Sequence, residues 1–462
     1  MTARERLVVI GGDAAGMSAA SQARRRRGAD DLEILAVERG HYASYSACGI
    51  PYYVGGVVDD LDRLIARTPA EFRDRDIELR MRTEAVEIDL EGGRVRLRDV
   101  DGGGERWESY DQLMVATGAV PVRPGLPGAD AKGVHGVQVL DDGVAIRRAV
   151  VEDGARRAVV VGGGYIGLEM AEAMVMQGLE VSLVDLAEQP MQTLDPDMGS
   201  LVADALRGVG VRLHLGEPVE GFDTSPDGRV TAVRTAGRTL PADLVVLGLG
   251  VRPASELARA AGIETGPTGG IVTDRRMRTR TEGVWAAGDC VESRHLVSGG
   301  PAAIPLGTHA NKQGRVAGIN IGGGYAAFPG VLGTAVSRIC RVEVARTGLN
   351  EREAAAAGFE TLSVVVRSTT RAGYHPGASE MRTKLIVERR TGRLLGAQIV
   401  GEENAAKRVD GLAIALWNGM TAEEMTGLDL GYAPPFAPVW DPVLIAARKA
   451  ADAVEEDMRS RS

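Results

Sequence analysis

The sequence predicts an α/β protein with two parallel, doubly wound sheets of Rossmann type and a third domain of α+β character. Three observations carry this. A short apolar strand runs into a glycine turn and a small-residue helix near the N-terminus, and the same strand, turn and helix recur from Ala158. From about Tyr325 the pattern changes to short alternating strands followed by a helix. With 462 residues, 44% of them hydrophobic, the chain is long enough to bury several cores.

In chain order, the first unit is the strand Leu7-Val8-Val9-Ile10, the turn Gly11-Gly12-Asp13-Ala14-Ala15-Gly16 and a helix through about Arg27. A second strand, Glu33 to Val37, ends at Glu38, followed by Arg39, where an acidic side chain can accept hydrogen bonds from a ribose. One position departs from the fingerprint. The middle glycine, which lets backbone approach a pyrophosphate, is Asp13. Tyr110 to Val115 reads as a strand leading into Ala116-Thr117-Gly118, a tight turn where the chain can cross between domains.

The second unit is Ala158 to Val161, then Gly162-Gly163-Gly164-Tyr165-Ile166-Gly167 and a helix Leu168 to Gln177 that carries Glu169. All three glycines of the fingerprint are present, and the strand Val181 to Val184 delivers Asp185 in register for a ribose 2′-hydroxyl. Leu186, Ala187, Glu188 and Gln189 follow, with no Arg or Lys to neutralise a 2′-phosphate, which favours NADH over NADPH. Asp243 to Arg252, containing Gly248 and Gly250, returns the chain, and the strand that starts near Thr281 ends in Gly288-Asp289. Two dinucleotide units imply one cofactor held permanently and one exchanged.

The last domain has strands at Val342 to Ala345, Leu362 to Val366, Lys384 to Glu388 and Leu395 to Ile399 and a helix around Ala405 to Asn418. These readings divide the chain into a discontinuous first domain (1–118 and 253–325), a second (119–252), a third (326–450) and a charged, flexible tail (451–462).

A formal net charge of −9 provides no basic field for nucleic acid, and the run Arg24 to Arg27 reads as a solvated helix end. No apolar stretch approaches a membrane span, and no signal peptide precedes the first strand, so a cytoplasmic protein without a membrane partner is expected. Three widely spaced cysteines, Cys48, Cys290 and Cys340, exclude a disulfide framework and a CxxC metal site; no metal is expected. In a reducing compartment an important cysteine is catalytic or redox-sensing. Cys290, after Gly-Asp, and Cys340, in an apparent strand, read as small buried hydrophobes. Cys48, after a polar turn and before a helix start, reads as a thiol with a lowered pKa.

Taken together, GGxAAG, ATG, GGGYIGLE, GLGVRP and VWAAGDC resemble the two-dinucleotide flavoprotein disulfide reductases of glutathione-reductase-like fold, over nearly everything to about residue 325. The resemblance implies FAD at the first unit, with Asp289 on a ribityl hydroxyl, NAD(P)H at the second, and a C-terminal dimerisation domain that makes a homodimer. Most such reductases carry a CxxxxC dithiol facing the flavin. Here Cys48 fills the first position and Tyr53 the second, so the resolving thiol is missing.

That arrangement is similar to the single-cysteine class: coenzyme A disulfide reductases, persulfide reductases and water-forming NADH oxidases. Within it, Cys48-Gly49-Ile50-Pro51-Tyr52-Tyr53 and the segment Gly431 to Pro442 resemble the coenzyme A disulfide reductase branch, whose C-terminal segment closes the partner's active site. Tyr374 and Tyr432 match that branch's partner-subunit tyrosines, and a phenol of pKa ~10 can protonate a departing thiolate of pKa about 8.5. His375 is a competitor for the role. Gln22, Arg25, Ser44 and Phe72 match positions that contact coenzyme A in the family; Ala47 and Asp76 depart from it, with Arg73 and Arg75 near enough to substitute. The expected function is transfer of electrons from NADH through flavin to coenzyme A disulfide, or to another small disulfide or persulfide, at Cys48. The alternatives are a water-forming NADH oxidase cycling through a Cys48 sulfenate and a persulfide or polysulfide reductase.

Overall fold

A computed structural model describes residues 4–461. Its first lobe is built on a five-stranded parallel sheet in the order Val284–Ala286, Gln112–Val115, Glu5–Ile10, Leu32–Val37, Glu78–Arg80. The second lobe repeats the arrangement with Val134–Gly136, Leu244–Leu247, Arg157–Val161, Glu180–Asp185 and Arg212–Leu215. In each, the first strand of the unit is central, with partners on both sides, so the glycine turn that follows lies at the switch point where an open α/β sheet seats its ligand. The strands are nearly continuous apolar runs because both faces are covered, in the second lobe by helices on one side and by the antiparallel strands Val219–Thr224 and Val230–Thr235 on the other.

The chain passes between the lobes twice, side by side. Ala119–Pro121 pairs antiparallel with Val251–Pro253, and the Thr117 hydroxyl donates to the Ala254 carbonyl at 2.6 Å. The first helix, Ala14–Arg24, packs on Gly307–Ile321 at backbone distance: a Cβ at Gly314 would lie 2.2 Å from the Ala15 carbonyl oxygen. Arg24 does not belong to a solvated helix end. It turns inward to the carbonyls of Leu32 (2.7 Å) and Asp76 (2.9 Å), while Arg25 stays exposed.

The third domain is one antiparallel sheet, Ala335–Ile339, Val342–Gly348, Leu394–Gly401, Glu380–Glu388, Thr361–Thr369, under the helices Val409–Trp417 and Pro442–Arg461. Its first strand is absent from the sequence reading because Ser337 and Arg338 interrupt the apolar alternation. Cys340 lies not in a strand but in the turn after Ile339, with φ +59°. Residues 451–461 correct another expectation. They extend the final helix rather than fray, because Val454 is buried against the sheet and Asp457 takes the Arg389 guanidinium at 2.5 Å.

A buried cation joins this domain to the second lobe. Lys384, 3% exposed, reaches Asp197 at 2.9 Å, Asp195 at 3.1 Å and Glu351 at 3.1 Å. Gln398 exchanges two hydrogen bonds with Asp195.

Candidate active site

The two glycine turns are built alike. Gly11 (φ +112°) leaves its strand in a conformation that L side chains rarely adopt, and a Cβ at Gly16 would sit 2.0 Å from the Gly11 carbonyl oxygen. Gly162 (φ +101°) and Gly167 repeat this, at 1.9 Å. Each turn is tied to its acidic residue. Glu38 accepts from the backbone N–H of Gly12 (2.8 Å) and Gly40 (2.7 Å), and Asp185 from Gly163 (2.6 Å) and Ala187 (2.8 Å). These carboxylates keep lone pairs for ribose hydroxyls. Gly164 stands open at the head of the helix Tyr165–Met176, with no atom nearer than 3.9 Å to an added Cβ, so backbone is accessible to a pyrophosphate.

Asp13 is explained by the same geometry. Its φ of −115° suits any residue, so the turn does not require glycine there, and its carboxylate accepts from the Tyr45 N–H at 3.2 Å. Burial, with Glu38 and Asp289 nearby, pushes its pKa up to about 6. Asp289 is likewise raised to about 6 by burial alone, and no donor among the described residues reaches it. A largely buried carboxylate without a partner fits a seat for hydroxyl groups of a bound cofactor. Ala14, Ala15 and the turn Ala116-Thr117-Gly118 complete the walls, a Cβ at Gly11 being excluded by the Ala116 carbonyl oxygen at 2.1 Å. Arg39 is exposed, its carbonyl held by Arg82, and Gly250 (φ +82°) accepts from Val122 at the crossing.

Cys48 is exposed in a 3₁₀ turn, Ala47–Gly49, ahead of the short helix Ile50–Val54, which packs against Tyr165–Met176. The expectation of a lowered thiol pKa is overturned: partial burial of the sulfur first, then the Glu169 carboxylate, push it up, with Asp289 and Asp13 adding to the effect. Glu169, itself raised by burial, is held by the Ser337 hydroxyl at 2.7 Å. Ser337 comes from the third domain, and no sequence signal marks it. The other cysteines are poor nucleophiles. Cys290 is fully buried with its Sγ against the Ala287 carbonyl, and burial lifts both it and Cys340 to about 11.

Tyr53, at the resolving position, is half-buried with the Arg147 guanidinium 4.5 Å over its ring, and Arg147 also donates to the carbonyls of Tyr53 and Val58. Tyr374 (78% exposed) and Tyr432 (48% exposed) lie together, hydroxyl to hydroxyl, on the third domain, and no hydrogen bond joins either to Cys48 of the same chain. His375 turns its Nδ1 to the Pro376 carbonyl. Of the residues expected at a substrate, Ser44 (φ +50°) donates its N–H to Gly12 O at 2.9 Å and so lies against the first glycine turn. Gln22 accepts from Arg26, and Arg25, Arg73 and Arg75 are exposed. Phe72 is 1% exposed and belongs to the core of the first lobe, with the Arg67 guanidinium lying 5.3 Å over its ring.

Comparison with known proteins agrees with this geometry. Residues 5–314 match the family model described as pyridine nucleotide-disulphide oxidoreductase, and residues 334–442 its dimerisation domain. The chain is 40% identical over 450 residues to an NAD(P)H sulfur oxidoreductase (CoA-dependent) of Pyrococcus abyssi, covering 96% of this chain and 98% of that one. Among solved structures it is similar to an NAD-dependent persulfide reductase from A. fulgidus (TM-score 0.94, 42% identity, 98% of this chain and 84% of that one). It is also similar to the reduced CoADR-RHD of Bacillus anthracis (TM-score 0.94, 33% identity, 98% and 81%). With both dinucleotide seats, the exposed thiol and the third domain in place, the chain belongs to the pyridine nucleotide-disulphide oxidoreductases and is an FAD- and NAD(P)H-dependent oxidoreductase of that family.

Proposed function

We propose that the protein reduces a small-thiol disulfide or persulfide at Cys48 with electrons from NADH, and that coenzyme A disulfide is its first substrate. The observation that carries the reading is that Cys48 is the one exposed cysteine, with no second thiol beside it. The oxidised form of the site is therefore a bond to sulfur from outside the chain. Relatives whose names mention coenzyme A or persulfide support that choice.

The Cys48 thiolate attacks one sulfur of the disulfide; the substrate S–S bond breaks, a Cys48–sulfur bond forms, and the leaving thiolate takes a proton from Tyr432 of the partner subunit. FAD supplies the two-electron relay between nicotinamide and sulfur when bound. The two electrons cleave the mixed disulfide, returning the Cys48 thiolate and releasing the second thiol, so that NADH, one proton and one disulfide give NAD⁺ and two thiols. With a persulfide, the products are a thiol and hydrogen sulfide. Asp185 with no cation on Leu186 to Gln189 repels a 2′-phosphate, which supports NADH over NADPH. The active unit is a homodimer, and a reducing cytoplasm keeps its thiol available.

Intact-mass analysis before and after reduction tests the substrate: an adduct of coenzyme A mass on Cys48 is expected. The Cys48→Ser protein should retain FAD and lose NADH-dependent disulfide reduction. Rapid, stoichiometric oxygen uptake without any disulfide, with a sulfenate on Cys48, replaces this reading with the oxidase.

A further inference from the structure

Arg408 ends a 3₁₀ turn, Ala406–Arg408, and opens the helix Val409–Trp417, whose inner face (Val409, Leu412, Ala415, Leu416) is buried; its backbone is thus fixed by the core. Its side chain, 10% exposed, reaches four places at once. Nε meets Asp441 at 3.1 Å, one Nη donates to the carbonyls of Thr370 (2.9 Å) and Phe436 (2.7 Å), and the other to that of Asn404. Thr370, fully buried, closes the loop 370–379 that carries Tyr374, its N–H donating to Ser379 O at 2.9 Å. Phe436 and Asp441 lie on the segment that carries Tyr432, and Asp441 also accepts from the Val443 N–H at 2.8 Å, capping the final helix. Besides these, the loop and the segment are joined by Ala372 N–H to Pro434 O (3.1 Å) and by the two tyrosine hydroxyls.

We propose that Arg408 is the positioning residue of the tyrosine pair: one guanidinium locks the Tyr374 loop and the Tyr432 segment in the placement that lets a tyrosine hydroxyl meet sulfur chemistry on the other subunit. The inference rests on the reading of Tyr432 as proton donor to the partner's thiolate. A guanidinium suits the task and an ammonium does not, because serving a carboxylate and two carbonyls on separate segments takes a planar fork of donors. The cation is not a ligand for substrate. Its donors are spent on the Asp441 carboxylate and backbone carbonyls, and its effect on Cys48 of the other subunit passes through the phenols.

The test is a cycle of Arg408→Lys, Tyr432→Phe and the double variant in the FAD-loaded dimer, with coenzyme A disulfide as substrate. Arg408→Lys is expected to lower kcat by about tenfold to a hundredfold, the penalty of misplacing a reacting group by about an ångström, with KM for NADH, FAD content and dimer mass unchanged. Asp441→Asn, which keeps the carbonyl contacts, should lose less. In the double variant the two losses should not add, since both act on one proton transfer. Additive losses, or full activity in Arg408→Lys beside an impaired Tyr432→Phe, overturn the positioning role. Full activity in Tyr432→Phe overturns the reading of the tyrosine itself. Should Arg408→Lys fail to assemble, Asp441→Asn combined with Tyr432→Phe reads the same coupling.

Discussion

Burial first, then the charge of the Glu169 carboxylate, push the Cys48 thiol above its ordinary pKa. Glu169, the largest electrostatic contributor after burial, comes from the helix of the second glycine turn, far along the chain. Glu169→Gln should therefore lower the pH at which Cys48 reacts with iodoacetamide, read as the midpoint of the alkylation rate against pH; an unchanged midpoint refutes the assignment. Asp289 gives a second residue-scale expectation. Its folded pKa of about 6 lies above the ordinary 3.8, so between those values the folded chain binds more protons than the unfolded one, and stability falls as pH rises through that window. In FAD-free protein, Asp289→Asn should thus stabilise the fold at pH 7.5 by on the order of 1 kcal/mol, seen as a higher thermal midpoint, and confer nothing below pH ~4. In the FAD-loaded protein the same change should weaken cofactor retention. The exposure of Cys48 among the three cysteines was legible from the sequence, yet its pKa was not, because Glu169, Asp289 and Asp13 reach it only through tertiary packing. How deeply Phe72 is buried, at 1% exposed, was equally out of reach, because it is decided by packing with the neighbouring strands.

At the scale of the element, both glycine turns were readable because their demands are local: a strand, a backbone that must pass within contact of another backbone, and an acid at the end of the next strand. Gly167→Ala places a Cβ 1.9 Å from the Gly162 carbonyl oxygen and should disrupt nucleotide binding while FAD stays bound, measured by NADH titration of flavin absorbance. Retained NADH affinity would contradict the close packing described. The last three turns of the final helix escaped the sequence reading because from residue 451 on charged residues outnumber the one buried apolar side chain there, Val454. The strand Ala335–Ile339 escaped because its polar Ser337 serves Glu169. Lys384 shows what such hidden partners are worth: Lys384→Met strands Asp195, itself buried, and should destabilise the junction between the second lobe and the third domain by about 3–5 kcal/mol, seen as a fall in thermal midpoint.

For the whole molecule, the proposed function makes the site a property of two chains, because no hydrogen bond joins Cys48 to Tyr374 or Tyr432 of the same chain. If Cys48 of one subunit works with Tyr432 of the other, mixing inactive Cys48→Ser with impaired Tyr432→Phe should regenerate activity. Random reassortment in a two-fold dimer restores about a quarter of the wild-type sites. No recovery after exchange, shown complete by mass, argues for a site within one chain. The exposed Phe436, Val439 and Trp440 beside the tyrosines give the second copy an apolar surface to cover.

Arg147 over Tyr53 has a consequence for how one-thiol and two-thiol chemistries are separated. Writing a cysteine at 53 recreates the CxxxxC spacing on paper, but it removes the ring on which Arg147 rests and leaves that guanidinium tethered only to the Tyr53 and Val58 carbonyls. Losing that contact costs on the order of 1 kcal/mol, so the residue at 53 is coupled to the one at 147, and a second thiol at 53 is expected to be better tolerated where 147 changes with it.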